Sequence, residues 1–152
     1  VAETGAGLVL LHMQGTPKTM QQAPSYRDVI EEIRQFFVER IRAALEAGIG
    51  AEQILLDPGI GFGKNLAHNL SVLAHLDALV ALGYPILVGV SRKAFIGQVL
   101  DRPGDEQVMG TAAAVAVAIL RGARVVRVHD VKRMRDVVKI VNAIMSHEEK
   151  AG

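Results

Sequence analysis

Four times along this 152-residue chain a short apolar run ends in polar residues, passes through a loop and gives way to a helical pattern. The apolar runs place strands near residues 8–13, 53–57, 86–90 and 124–129. Continuous runs of this kind, without polar alternation, mark parallel strands buried on both faces. Repeated strand–helix alternation means βαβ units with right-handed crossovers and a parallel sheet, so the fold class is α/β. Two architectures satisfy that pattern. One is a small doubly wound sheet of four or five strands. The other is a (β/α)8 TIM barrel, which needs about 250 residues and of which four units are half. The alternation does not choose between them.

Between the strands the helical periods are clear. From Tyr26 onward Val29/Ile30, Ile33, Phe36/Phe37, Ile41 and Leu45 recur at helical spacing, with Asp28, Glu31 and Glu32 at the start and Gly48 just past the end. One helical region is expected from about Leu66 to Leu82, and a short turn at Ala94–Leu100. Asp101–Asp105 reads as a loop. Gln107–Leu120 is alanine-rich and apolar on most sides, which predicts a buried helix. Asp130 can cap a last helix carrying Met134, Val137/Val138, Val141 and Ile144/Met145.

The second strand runs into Asp57-Pro58-Gly59-Ile60-Gly61-Phe62-Gly63-Lys64. Proline disfavours helical geometry at the residue before it, which keeps Asp57 at the strand tip. Three glycines then let the backbone turn tightly and approach a ligand. The loop is not a Walker A loop: Gly59 and Gly63 are one residue too close, and Asn65 stands where Ser or Thr would hold magnesium.

The other strand tips are polar as well. His12 and Gln14 follow the first, Ser91, Arg92 and Lys93 the third, and Arg127, His129 and Asp130 the fourth. In both candidate folds ligands bind at that edge. Arg127 and His129 share strand parity and point away from Val126 and Val128, so they need an anion or a cavity. His68, His75 and His147 fall in helical stretches and read as surface or boundary residues. Ser91 has no base beside it in sequence, and no His/Asp/Glu spacing matches a metal site. A carboxylate suits paired N–H donors such as an aminopyrimidinone edge, and the cations suit a phosphate or diphosphate.

Composition narrows the classes. A net charge of +1 does not suit a polyanion-binding surface, so no nucleic-acid partner is expected. The longest apolar run, Ala112–Leu120, falls short of the roughly 20 residues of a membrane span. Cysteine is absent, which excludes thiol chemistry and is compatible with a cytoplasmic location. The chain opens on Val1 and reads as a piece of something longer.

His12-Met13-Gln14-Gly15-Thr16-Pro17 with Thr19-Met20-Gln21, the Asp57–Lys64 loop, Ser91-Arg92-Lys93 and Arg127-Val128-His129-Asp130 together resemble the dihydropteroate synthase family, over about Leu8 to Met145. The resemblance implies that residues 1–152 are the C-terminal half of a pterin-binding (β/α)8 barrel domain, strands five to eight. It implies condensation of 6-hydroxymethyl-7,8-dihydropterin diphosphate with p-aminobenzoate to 7,8-dihydropteroate and diphosphate, in folate biosynthesis. By the same resemblance Asp57, Lys93, Phe62, Leu11 and Gly89 bind the pterin, Leu11 standing where many relatives have methionine. Arg127 and His129 bind the diphosphate, and Ser91 and Arg92 form the p-aminobenzoate and sulfonamide site. No protein nucleophile is implied. Mg2+ is the implied cofactor, its ligand lying outside these residues, and a homodimer is expected of the complete enzyme. A pterin-binding methyltransferase barrel and a non-catalytic half-barrel are the alternatives.

Overall fold

The computed structural model describes residues 1–103 and 107–151. Of the expected Asp101–Asp105 loop, Gly104 and Asp105 lie outside the described residues. Four strands, β1 (Leu8–Leu11), β2 (Ile54–Asp57), β3 (Ile86–Val88) and β4 (Ala123–Val126), form one sheet. All three pairings are parallel and the spatial order is β1-β2-β3-β4. Strands β1, β3 and β4 end two or three residues earlier than expected, whereas β2 ends at Asp57 as expected.

The helices are α1 (Val29–Glu46), α2 (Leu66–Ala74), α3 (Leu76–Val80), α4 (Ala94–Leu100), α5 (Val108–Leu120) and α6 (Val131–Ala151). Helix α1 starts where Asp28 accepts hydrogen bonds from the N–H groups of Ile30 and Glu31. Asn65 caps α2 by accepting from the His68 N–H at 2.8 Å, which is the work this residue does in place of a phosphate-loop hydroxyl. Two helical expectations need correction. The Leu66–Leu82 region is broken at His75, whose backbone leaves helical geometry (φ −119°, ψ 31°), so that it yields α2 and α3. Helix α5 is not buried: Thr111, Val115, Ala118 and Ile119 face inward, while Met109, Val117 and Leu120 are 79%, 42% and 56% exposed. An apolar helix shows no polar face by which periodicity could reveal its outer side.

The core joins Ile54, Leu56, Ile86, Val88 and Ala123 of the sheet to helix residues such as Ile33, Phe37, Val72, Leu79, Val115 and Met134. This is one face of the sheet only. On the opposite face Val9 and Val125 are exposed and Leu11, Leu55 and Leu87 are half-buried. Helices on one face, with strands in unbroken sequence order, match a barrel wall and not a doubly wound sheet, whose helices cover both faces. Strict alternation would put Ala123 and Val125 on the same side. The register instead shifts between Ile86, paired with Ala123, and Leu87, paired with Val125, so Arg124 is an extra residue.

Burying five such side chains is worth on the order of 10 kcal/mol, at roughly 1.5–3 kcal/mol each. That rivals the whole stability of a domain, about 5–15 kcal/mol. The sheet also ends in two edges, β1 and β4, each with an unpaired side. The 152-residue chain by itself is therefore expected to self-associate in analytical ultracentrifugation. A monomer that unfolds cooperatively would show that the bare face costs little.

Candidate functional site

The site lies where the four strands end. The first ladder carries Leu11 opposite Asp57 and continues through the His12 N–H, which donates to the Asp57 carbonyl at 3.0 Å. Asp57 is 2% exposed. Its Oδ1 accepts from the Gly59 N–H at 2.8 Å, and its Oδ2 lies 3.7 Å from the Arg127 guanidinium. Burial raises its pKa, against the Gly59 N–H and the charges of Lys93, Arg127 and Lys64.

The glycine loop after β2 is tied to the segment after β1. Gln21 donates to the Gly61 carbonyl and the Tyr26 hydroxyl to the Gly63 carbonyl, both at 2.7 Å. Lys64, also 2% exposed, turns back under the loop. Its ammonium lies 3.2 Å from the carbonyls of Gly59 and Phe62 and 3.0 Å from His12 Nδ1. Burial and the neighbouring Lys64 charge lower the His12 pKa to about 4, so the imidazole is neutral and Nδ1 accepts from the ammonium. The Lys64 pKa is itself lowered to about 7 by burial, against the attraction of Asp57. The sequence places His12 at the tip of the first strand and Lys64 at the end of the glycine loop, but local pattern assigns neither a role in the site.

On the other side, Lys93 donates to the Ile60 carbonyl and stands 4.7 Å over the Phe62 ring. Burial lowers its pKa to about 8, Asp57 opposing and Arg127 adding to the shift. Arg127 continues the β4 ladder by donating its N–H to the Val88 carbonyl at 2.9 Å. Its guanidinium crosses Gly89, where an added Cβ would come within 3.1 Å of it, so glycine gives the guanidinium room. Gly89, Ser91, Lys93, Arg127, Val128 and His129 line a cavity of about 300 Å³.

Ser91 and Arg92 are cross-linked to the segment after β4. The Arg92 guanidinium holds the Asp130 carboxylate through contacts of 3.0–3.2 Å, with Arg92 itself at φ 55°. The serine that lacked a base in sequence has His129 Nδ1 3.1 Å from its Oγ. Asp57, Lys93, Phe62, Gly89, Arg127 and His129 are thus gathered at one end of the sheet, and Leu11 sits half-buried on its bare face.

A buried carboxylate, a lysine over an aromatic ring and an arginine–histidine pair can grip a polar heterocycle at one end and an anion at the other. They do not fit a divalent cation. Asp57 is the only carboxylate among them, it is committed to Gly59, and cations surround it. Among the described residues no group of three or more His, Asp or Glu could hold a metal ion, and no helix is long and apolar enough to cross a membrane.

The family model described as pterin binding enzyme matches residues 1–129. Dihydropteroate synthase of Escherichia coli (strain K12) is 48% identical over 148 residues, 97% of this chain and 52% of that protein. The Bacillus subtilis (strain 168) enzyme of the same name is 39% identical over 145 residues, 95% of this chain and 48% of that one. Among solved structures, Yersinia pestis dihydropteroate synthase with a sulfonamide drug complex superposes with a TM-score of 0.94 at 46% identity, covering 96% of this chain and 53% of that one. Xanthomonas albilineans dihydropteroate synthase in complex with 7,8-dihydropteroate gives 0.87 at 43% identity, covering 95% and 52%. The chain spans about half the length of the curated relatives it matches.

Proposed function

This chain belongs to the family of pterin-binding enzymes, and on that footing we propose that it supplies strands five to eight, the C-terminal half, of a dihydropteroate synthase barrel. The reaction is the condensation of 6-hydroxymethyl-7,8-dihydropterin diphosphate with p-aminobenzoate. The observation that carries this reading is Asp57, a nearly inaccessible carboxylate 3.7 Å from Arg127 beside a cavity lined by Lys93, Arg127 and His129. An aminopyrimidinone presents two N–H donors to such a carboxylate. Lys93 serves the pterin carbonyl and ring nitrogen, while Phe62, Leu11 and Gly89 wall the pocket.

Arg127 and His129 take the diphosphate. As the methylene C–O bond breaks, the diphosphate leaves with the electron pair, and these groups offset the charge that builds on it. The pterin methylene is left cationic. The arylamine nitrogen then attacks that carbon, forms the C–N bond and releases a proton to solvent. Nothing in this sequence asks for a protein nucleophile, and the protein's part is positioning and charge stabilisation. Ser91 and Arg92 border the p-aminobenzoate side of the site. Mg2+ would take its ligands from outside this chain, since the described residues offer no group of carboxylates and histidines that could hold it. The Lys93 and Arg127 cations beside Asp57 favour an anionic leaving group, which a methyltransferase barrel would not need. Exposed apolar residues on α5 and α6, including Met109, Leu120 and Ile140, support a homodimer of the complete enzyme.

Asp57→Asn replaces a charged acceptor by an amide and is expected to weaken pterin binding by about 1.5–3 kcal/mol, the scale of a hydrogen bond to a charged group. Calorimetry with a pterin on the complete barrel measures this. Unchanged affinity would remove Asp57 from the site and with it the proposed reaction.

A further inference from the structure

We propose that Ser91 is a positioning residue: its hydroxyl, 3.1 Å from His129 Nδ1, fixes the histidine in the tautomer that presents Nε2–H to an anion beside Arg127. The inference rests on the reading of the Arg127–His129 cavity as the diphosphate site, and it gives Ser91 a task apart from direct contact with p-aminobenzoate.

The geometry leaves the hydroxyl one choice. Ser91 is 5% exposed, so its O–H needs a partner within the protein. Its Oγ already accepts the His129 backbone N–H, at 3.3 Å. Among the described residues the acceptor within reach of the hydroxyl proton is Nδ1 of the same histidine. A serine that donates to Nδ1 requires that nitrogen unprotonated, and the neutral ring then carries its proton on Nε2. Nε2 lies across the ring from Ser91, and His129 is exposed at the cavity that Arg127 and Lys93 also line. In the other tautomer the cavity would meet a lone pair, which repels an anion.

The next residues repeat the arrangement. Arg92 grips Asp130 through both guanidinium and carboxylate forks, 38 residues apart, as Ser91 and His129 are. Two adjacent cross-links therefore bind the segment after β3 to the segment after β4, and the inner one ends on a ring nitrogen. A serine nucleophile activated by His129 is the competing use of the pair. It requires Oγ to reach a ligand, whereas this Oγ is buried and engaged twice by one residue.

The test uses the complete barrel, inorganic diphosphate as the probe, calorimetry for affinity, and nitrogen-15 NMR of the imidazole at a pH where the ring is neutral. In the unaltered chain His129 is expected to show a pyridine-type Nδ1 and a pyrrole-type Nε2. Ser91→Ala should give a tautomer mixture and an affinity loss of about two- to threefold, the inverse of the fraction of rings that still carry the proton on Nε2. Ser91→Thr, which keeps the hydroxyl, should restore both. In a His129→Ala background Ser91→Ala should cost nothing more, because its effect passes through the ring. Additive losses in the double variant would overturn the proposal, as would a Ser91→Ala variant with unchanged tautomer and affinity. If Ser91→Ala does not fold, Ser91→Cys keeps the volume, weakens the donor and carries the same comparison. Failure of the complete barrel to bind diphosphate, or indifference to Arg127→Ala, would count against the diphosphate reading. The tautomer measurement would then decide the role of Ser91 by itself.

Discussion

Gly59→Ala is expected to destabilise the fold by about 4 kcal/mol or more, at the upper end of single substitutions. Gly59 has φ 68°, and a Cβ built there would lie 1.9 Å from the His12 carbonyl oxygen. Left-handed backbone alone costs a non-glycine residue only roughly 1–2 kcal/mol. The larger part comes from the clash, since both partners are backbone and neither can rotate away. Relief requires the loop to lift off the end of β1. That movement breaks the Gly59 N–H bond to Asp57 and the Lys64 bond to the Gly59 carbonyl. Gly83 is the control: its φ is 82°, but nothing lies within 4 Å of its added Cβ. Gly83→Ala should cost only about 1–2 kcal/mol. Urea unfolding of the two variants measures the difference, and equal losses would mean that the His12 contact is not a constraint.

Lys64→Met is expected to cost about 3–5 kcal/mol near pH 10, where the neutral amine still has two N–H groups to donate, because it strips the donors from the buried Gly59 and Phe62 carbonyls. The loss should shrink as pH falls. The Lys64 pKa is lowered to about 7 in the fold, from an ordinary value of 10.5. Between those values the unfolded chain binds more protons than the folded one, so stability rises with pH across the window and is lost as pH falls through about 7. The change across the whole window is on the order of 4 kcal/mol at most. Methionine does not titrate, and the difference between the two unfolding profiles isolates Lys64 from Lys93, whose pKa is lowered in the same direction. A difference that stays flat from about pH 7 to 10 would show that the ammonium keeps its ordinary pKa when buried.

Much of this architecture was written in local pattern. The apolar runs at Leu8, Ile54, Ile86 and Val125 and the amphipathic period of α1 determine strand and helix order, because burial of one face selects a period that neighbouring residues display. Alternation also determined that Arg127 and His129 emerge together, opposite Val126 and Val128. The tips of the strands named the polar residues of the site, since an α/β sheet ends its apolar runs where its ligands begin. The four motifs were legible for the same reason: each is continuous in sequence.

What required the tertiary structure was every contact between segments. His12 and Lys64 are 52 residues apart, and Ser91 and His129 are 38 apart. Each pair meets only because β1 lies beside β2 and β3 beside β4, in a register that local periodicity does not encode. The extra residue at Arg124 and the break at His75 likewise left no mark in the local period. The sequence by itself determined which groups stand at the strand ends. Only the fold decided which of them are buried, which titrate out of their ordinary range and which hold one another, because those properties depend on solvent exclusion and through-space distance.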